Sequence, residues 1–186
     1  MQPLKKRVTP LPLAVVALAA TLAAALGGCS SGGGPATDGP LSSGVDGRIP
    51  RGEICVPGGQ PQTFGLEQFT NHGRATVVLD SVALQHPHNE RLIGSYAVPG
   101  DLVIGAPGDW PPKYVGLPST WKHRQPVHGF RLAPGKSFNM VLGVTATGTG
   151  RATSRGMLAY YHYSAGSYVA TDDIAMTIAA TKHGCN

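Results

Sequence analysis

Seven histidines, four methionines, ten acidic residues and three cysteines carry most of the chemical potential of this 186-residue chain. His86-Pro87-His88 could turn two imidazoles toward one ion, since neutral imidazole is a common metal ligand. The Gln85–Asn89 stretch reads as a polar loop, however, and no third ligand lies at a recognisable spacing, so no metal or cofactor is expected. Met140 and Met176 fall on apolar strand faces and read as core. Asp172 and Asp173 are adjacent, and neighbours on a strand point to opposite faces, so they cannot converge on one bond. No Gly-x-Ser-x-Gly elbow, His-Glu-x-x-His or phosphate-binding Gly-x-x-x-x-Gly-Lys occurs, and no catalysis is expected. The remaining candidate is residues 105–129, GAPGDWPPKYVGLPSTWKHRQPVHG, long for a loop in a compact domain. Trp110, Tyr114, Trp121 and Arg124 in it are expected either to bind a ligand by stacking or to fold back as a cap on one end of the core.

The cysteines Cys29, Cys55 and Cys185 lie in AALGGCSS, EICVPGG and KHGCN. Ahead of Cys29 stand Lys5, Lys6 and Arg7, then an uncharged run from Leu11 to Leu26. This order of charge and apolar run is that of a signal peptide, and the run is short for a bilayer core about 30 Å thick. Leu26-Gly27-Gly28-Cys29 resembles the lipobox of bacterial lipoprotein precursors. That resemblance implies a diacylglyceryl thioether on Cys29, cleavage just before it, and a place on the outer side of the cell membrane. With Cys29 taken by lipid, Cys55 and Cys185 remain as a pair, and outside the cytoplasm a disulfide between them is expected. The enrichment in Gly, Pro and Ala resembles exported proteins of high-GC Gram-positive bacteria.

Residues 1–28 are therefore expected as signal peptide, 29–51 as a flexible Gly/Ser/Pro-rich tether, and 52–186 as one domain. The formal charge of +5 falls to +2 without Lys5, Lys6 and Arg7, and the remaining basic residues are scattered. Nucleic-acid binding is not suggested. In the domain, apolar residues recur with period two, most clearly at Phe138, Met140, Leu142 and Val144. Further strands are expected at Thr63–Phe69, Ala75–Leu84, Leu92–Val98, Leu102–Ile104, Phe130–Leu132, Gly156–Ser164, Ser167–Ala170 and Asp173–Thr181. Turn signals separate them, including Asn71-His72-Gly73, Pro134-Gly135 and Ala165-Gly166. No segment after residue 51 sustains helical periodicity, so the fold expected is all-β, a single antiparallel β-sandwich. NHGRATVVLDSVAL and FRLAPGKSFNMVLGV resemble strands of immunoglobulin-like modules in bacterial surface lipoproteins, although the Cys…Trp…Cys spacing of that fold is missing. The function expected on these grounds is a non-catalytic binding or surface-interaction module with a protein or cell-envelope glycan partner. Glycan or small-ligand binding through the Trp110–Trp121 loop and metal handling are the alternatives.

Overall fold

Period-two patterning becomes two sheets in the computed structural model, which describes residues 34–44, 51–101, 103–112, 118–181 and 184–185. The chain order is β1 (Leu41–Ser43), β2 (Arg51–Val56), β3 (Gln62–Asn71), β4 (Val77–Leu84), β5 (Glu90–Pro99), β6 (Gly105–Asp109), α1 (Pro118–Trp121), β7 (Gln125–Pro126), β8 (Arg131–Leu132), β9 (Ser137–Ala146), β10 (Ala152–Ser154), β11 (Met157–Tyr163) and β12 (Gly166–Ile178). The chain is almost entirely β, and the four-residue α1 is the one helix among the described residues.

The first sheet runs β1-β3-β9-β5-β7, with β6 also on β3, and all its pairings are antiparallel. The second runs β10-β12-β11-β4-β8, with β2 lying parallel along the second half of β12. One apolar cluster draws on both: Phe64, Phe69, Phe138, Met140 and Leu142 from the first sheet meet Val77, Leu79, Ala159, Tyr161, Met176 and Ile178 from the second. Phe138 stacks on Phe69 at 5.5 Å between centroids and is tilted against Phe130 at 5.1 Å. Met140 and Met176 are core, as their strand faces imply.

β9 departs from the half-buried strand that its alternation predicts. Val141 and Asn139, on the face away from the core cluster, are as fully buried as Phe138 and Met140. The chain after β5 folds over that outer face. Ile104 N–H donates to the Asn139 side chain at 3.0 Å, while Asn139 Nδ2 donates to the Glu67 carbonyl at 2.6 Å. Residues 105–109, read from sequence as the start of a loop, are strand β6 on the edge of β3.

Part of the expected tether is folded. The Ala36 N–H donates to the Ser167 carbonyl at 3.1 Å, and the Val169 N–H donates to the Ala36 carbonyl at 2.8 Å. Leu41–Ser43 pairs with Phe69–Asn71, with Leu41 and Ser43 buried. The Leu41 N–H donates to the Tyr161 hydroxyl at 3.2 Å, and Ser43 Oγ donates to the Thr171 carbonyl on the opposite sheet at 2.8 Å. Composition misleads here because the segment needs no core of its own. It borrows hydrogen-bonding groups and apolar surface from strands already in place. Gly39 is needed at the crossing, since a Cβ there would lie 2.0 Å from the Tyr161 hydroxyl. The expected signal peptide lies outside the described residues, as do residues 29–33, Cys29 among them, and 45–50 of the expected tether.

Cys55 at the end of β2 and Cys185 near the C-terminus form a disulfide, with Cα atoms 5.6 Å apart. The bond ties together the ends of a domain separated by 130 positions. Chain entropy assigns such a loop about 5 kcal/mol.

Candidate functional site

The outer face of the first sheet gathers three of the four expected binding residues. Tyr96 projects from β5, opposite Val141 of β9, and so shares that strand's outer face. Trp110 stacks on Tyr96 at 5.7 Å with ring planes 27° apart, and Trp121 at the end of α1 meets Tyr96 edge-on at 5.5 Å. The Arg124 guanidinium lies 4.7 Å from the Trp121 ring centroid and 5.5 Å from that of Tyr96, and its Nη1 donates to the Trp121 carbonyl at 3.2 Å. Tyr114 lies outside the described residues.

Trp110 rests on backbone. A Cβ on Gly143 would approach its ring to 2.1 Å and one on Gly94 to 2.6 Å. Only glycine at both positions lets the indole lie flat on the sheet. The ring thus packs on a sheet face, where the sequence reading left it either a stacking site for a ligand or a cap at one end of the core. Tyr96 completes the cluster and was missed, although its alternation with Val98 in the β5 pattern was the available signal.

A second constellation lies in the interior. Glu67 of β3 and Asp172 of β12 come from opposite sheets, and each is about 1% exposed. Their carboxyls are close enough for each to shift the other's hold on its proton. No other group in the described structure donates to either Glu67 carboxyl oxygen. Asp172 Oδ1 accepts from the Ile174 N–H at 2.9 Å. Two carboxyls in contact need a proton between them, so the consistent state is a neutral Glu67 donating to an ionised Asp172. Burial, then the Asp172 charge and this hydrogen bond, push Glu67 up to about 9. Burial also raises Asp172, to about 6, against the lowering effect of the Ile174 N–H and the Glu67 hydrogen bond. Asp172 and Asp173 do not converge, and the acid that Asp172 faces is Glu67, from another strand. Two positions before the core residue Phe69, it carries its carboxyl on the same face.

Glu90, at the start of β5, is a third buried acid. Burial raises its pKa, and the nearby Ser154 hydroxyl works in the opposite direction.

The histidines divide into separate pairs. His72 Nε2 and Ser42 Oγ are 2.9 Å apart, and His162 Nδ1 lies 2.6 Å from Asp80 Oδ2. His128 Nδ1 donates to the Asp80 carbonyl at 3.0 Å. A hydrolytic triad needs one histidine to join the serine to the acid. Among the described residues the serine-bonded histidine and the acid-bonded histidine are different residues. His86 has φ 49°, and His88 bridges by backbone to Thr153. Among the described residues no three His, Cys, Asp or Glu side chains are placed to hold a metal ion. No helix among them is long and apolar enough to cross a membrane.

No family model and no curated sequence matches the chain. Among solved structures it is similar to the VesB protease of Vibrio cholerae, with a TM-score of 0.38 and 12% identity over 75% of this chain and 32% of that one. It is also similar to VesC, a secreted serine protease of Vibrio cholerae, with a TM-score of 0.32 and 13% identity over 68% of this chain and 21% of that one. The chain thus spans a third or less of these proteins. Both neighbours are described as proteases, which the expectation of a non-catalytic binding module, with its glycan-binding and metal-handling alternatives, did not anticipate, and that expectation is not carried further. Likeness at these TM-scores carries no argument for proteolysis in this chain.

Proposed function

We propose that the chain is the precursor of an exported lipoprotein. Its mature form begins at a diacylglyceryl-modified Cys29 and holds a disulfide-closed β domain at the extracytoplasmic face of the cell membrane. The observation that carries this reading is the Cys55–Cys185 disulfide, which accounts for two of three cysteines and leaves the one that follows Leu26-Gly27-Gly28. A disulfide that closes a whole domain suits an oxidising compartment. The domain is a β-sandwich, a reading supported by the apolar cluster shared between its sheets. Its immunoglobulin-like character is supported by the Leu132-Ala133-Pro134-Gly135 turn leading into the central strand β9, with Gly135 at φ 67°.

The test is intact mass and fractionation of the protein expressed in a bacterial host. The native chain is expected in the membrane fraction with a diacylglyceryl adduct on an N-terminal Cys29. Cys29→Ala is expected to lose the adduct and the processing at that site. A native chain without the adduct, or membrane retention unchanged by Cys29→Ala, overturns the proposal.

A further inference from the structure

The folding of the expected tether sets how far the domain can stand from its anchor. With residues 29–51 slack, the domain would float free of the headgroups. Ala36 is instead fixed to β12 by two backbone hydrogen bonds, so six residues separate it from Cys29. Seven Cα steps reach at most about 25 Å when fully extended.

Ala36 also selects which end of the domain is held close. It bridges to Tyr168, near the start of β12 and beside the Tyr163–Gly166 turn. Two more turns converge there. The Arg74 N–H donates to the Tyr163 hydroxyl at 3.0 Å, and a Cβ on Gly73 would meet both the Tyr163 ring and Pro40 within 3 Å. The Asn71 N–H donates to the Lys136 carbonyl at 3.0 Å, and the Gly135 N–H donates to the Asn71 carbonyl at 2.8 Å. This end exposes Arg74 and Lys136 beside the half-buried rings of Tyr163 and Tyr168. Cations and tyrosines are the side chains suited to a headgroup layer, the first pairing with phosphate and the second having an apolar body with a polar tip. The acidic groups nearby are Asp38, which is exposed, Asp80, which is engaged with His162, and Asp101, which is exposed beside the Ala133–Lys136 turn and accepts from Gln68 Nε2 at 3.3 Å. β12 then runs 13 residues away, about 40 Å, to the disulfide end, where Thr149 lies with Ala179 and Ala180 around an open groove.

We propose that the end formed by the Tyr163–Gly166, Asn71–Arg74 and Ala133–Lys136 turns lies against the phospholipid headgroups of the membrane that holds the anchor, and that the disulfide end points away. The inference rests on the lipoprotein reading above. The test uses the mature, lipidated protein in vesicles of phosphatidylcholine and phosphatidylglycerol that carry a headgroup spin label. Ala165→Cys and Thr149→Cys, each labelled with bimane, report the two ends. After flotation confirms attachment, the probe at 165 is expected to be quenched at least twofold more than the probe at 149. Ten Gly/Ser residues inserted after Ser31 should preserve flotation and remove most of that difference. Equal quenching, stronger quenching at 149, or a difference that survives the insertion overturns the orientation while leaving the anchor standing. Failure of the native chain to float, with no adduct on Cys29, overturns the anchor and the orientation with it.

Discussion

Replacing Glu67 by Gln should flatten the pH dependence of stability between pH 6 and 8. In the folded protein both Glu67 and Asp172 hold their protons more tightly than a solvated carboxyl does, Glu67 up to about 9 and Asp172 up to about 6. Stability from a raised acid is complete below the unfolded pKa, near 4, where both states carry the proton. It falls as pH rises toward the folded pKa, because the unfolded chain has already released its proton while the native state retains it. From pH 4 to 6 both acids contribute to the fall, and from pH 6 to about 9 Glu67 continues alone. One proton held by the native state and absent from the unfolded one corresponds to about 1.4 kcal/mol per pH unit. Glu67 therefore removes about 3 kcal/mol between pH 6 and 8, a large share of an ordinary domain's stability. Glutamine keeps the shape, stays neutral at every pH and can donate its amide N–H to Asp172. Urea unfolding of the disulfide-intact protein at pH 6, 7 and 8 should show the native curve falling more steeply than that of Glu67→Gln by about 1.4 kcal/mol per pH unit. Glu90 also has a raised pKa, but it is present in both proteins and cancels in the comparison. Parallel curves across this range would refute a protonated Glu67 in the native state.

Two further substitutions probe the packing. Gly143→Ala puts a methyl group where the Trp110 ring lies, so the indole must leave the sheet. A cost of about 1–3 kcal/mol and a red-shifted tryptophan emission are expected, and an unchanged spectrum would mean that Trp110 does not lie on Gly143. Tyr161→Phe strips the acceptor from the Leu41 N–H and leaves a buried donor unpaired, at about 1–3 kcal/mol. Hydrogen exchange should then quicken over residues 36–43 first, and exchange that stays slow there would show that the segment is held by other contacts.

What could be read from sequence depended on whether an element carries its own reason for being where it is. β9 shows its inner face in Phe138, Met140, Leu142 and Val144, because burial against the opposite sheet demands alternation. Its outer face was illegible, since Val141 and Asn139 are buried by a segment whose seat depends on Gly94 and Gly143, both far from Trp110 in the chain. The disulfide followed from counting thiols once Cys29 was assigned to lipid as an expectation. The strand at Leu41–Ser43 could not be seen in a Gly/Ser/Pro-rich stretch, because its partners are supplied entirely by β3 and by Tyr161. Glu67 was partly visible. Counting back two residues from Phe69 puts its carboxyl among core side chains, and counting two beyond Ala170 does the same for Asp172.

Each acid alone contradicts its strand pattern, and together they remove the contradiction by sharing one proton. A buried polar pair of this kind also constrains how the sheets meet. Slipping β3 or β12 by one residue would turn its acid to the opposite face and leave the other carboxyl buried without a partner, a penalty that apolar neighbours could not impose. The pair that weakens the domain as pH rises therefore also opposes the wrong registers, and Glu67→Gln, which retains a polar contact to Asp172, should lose the first effect while keeping much of the second.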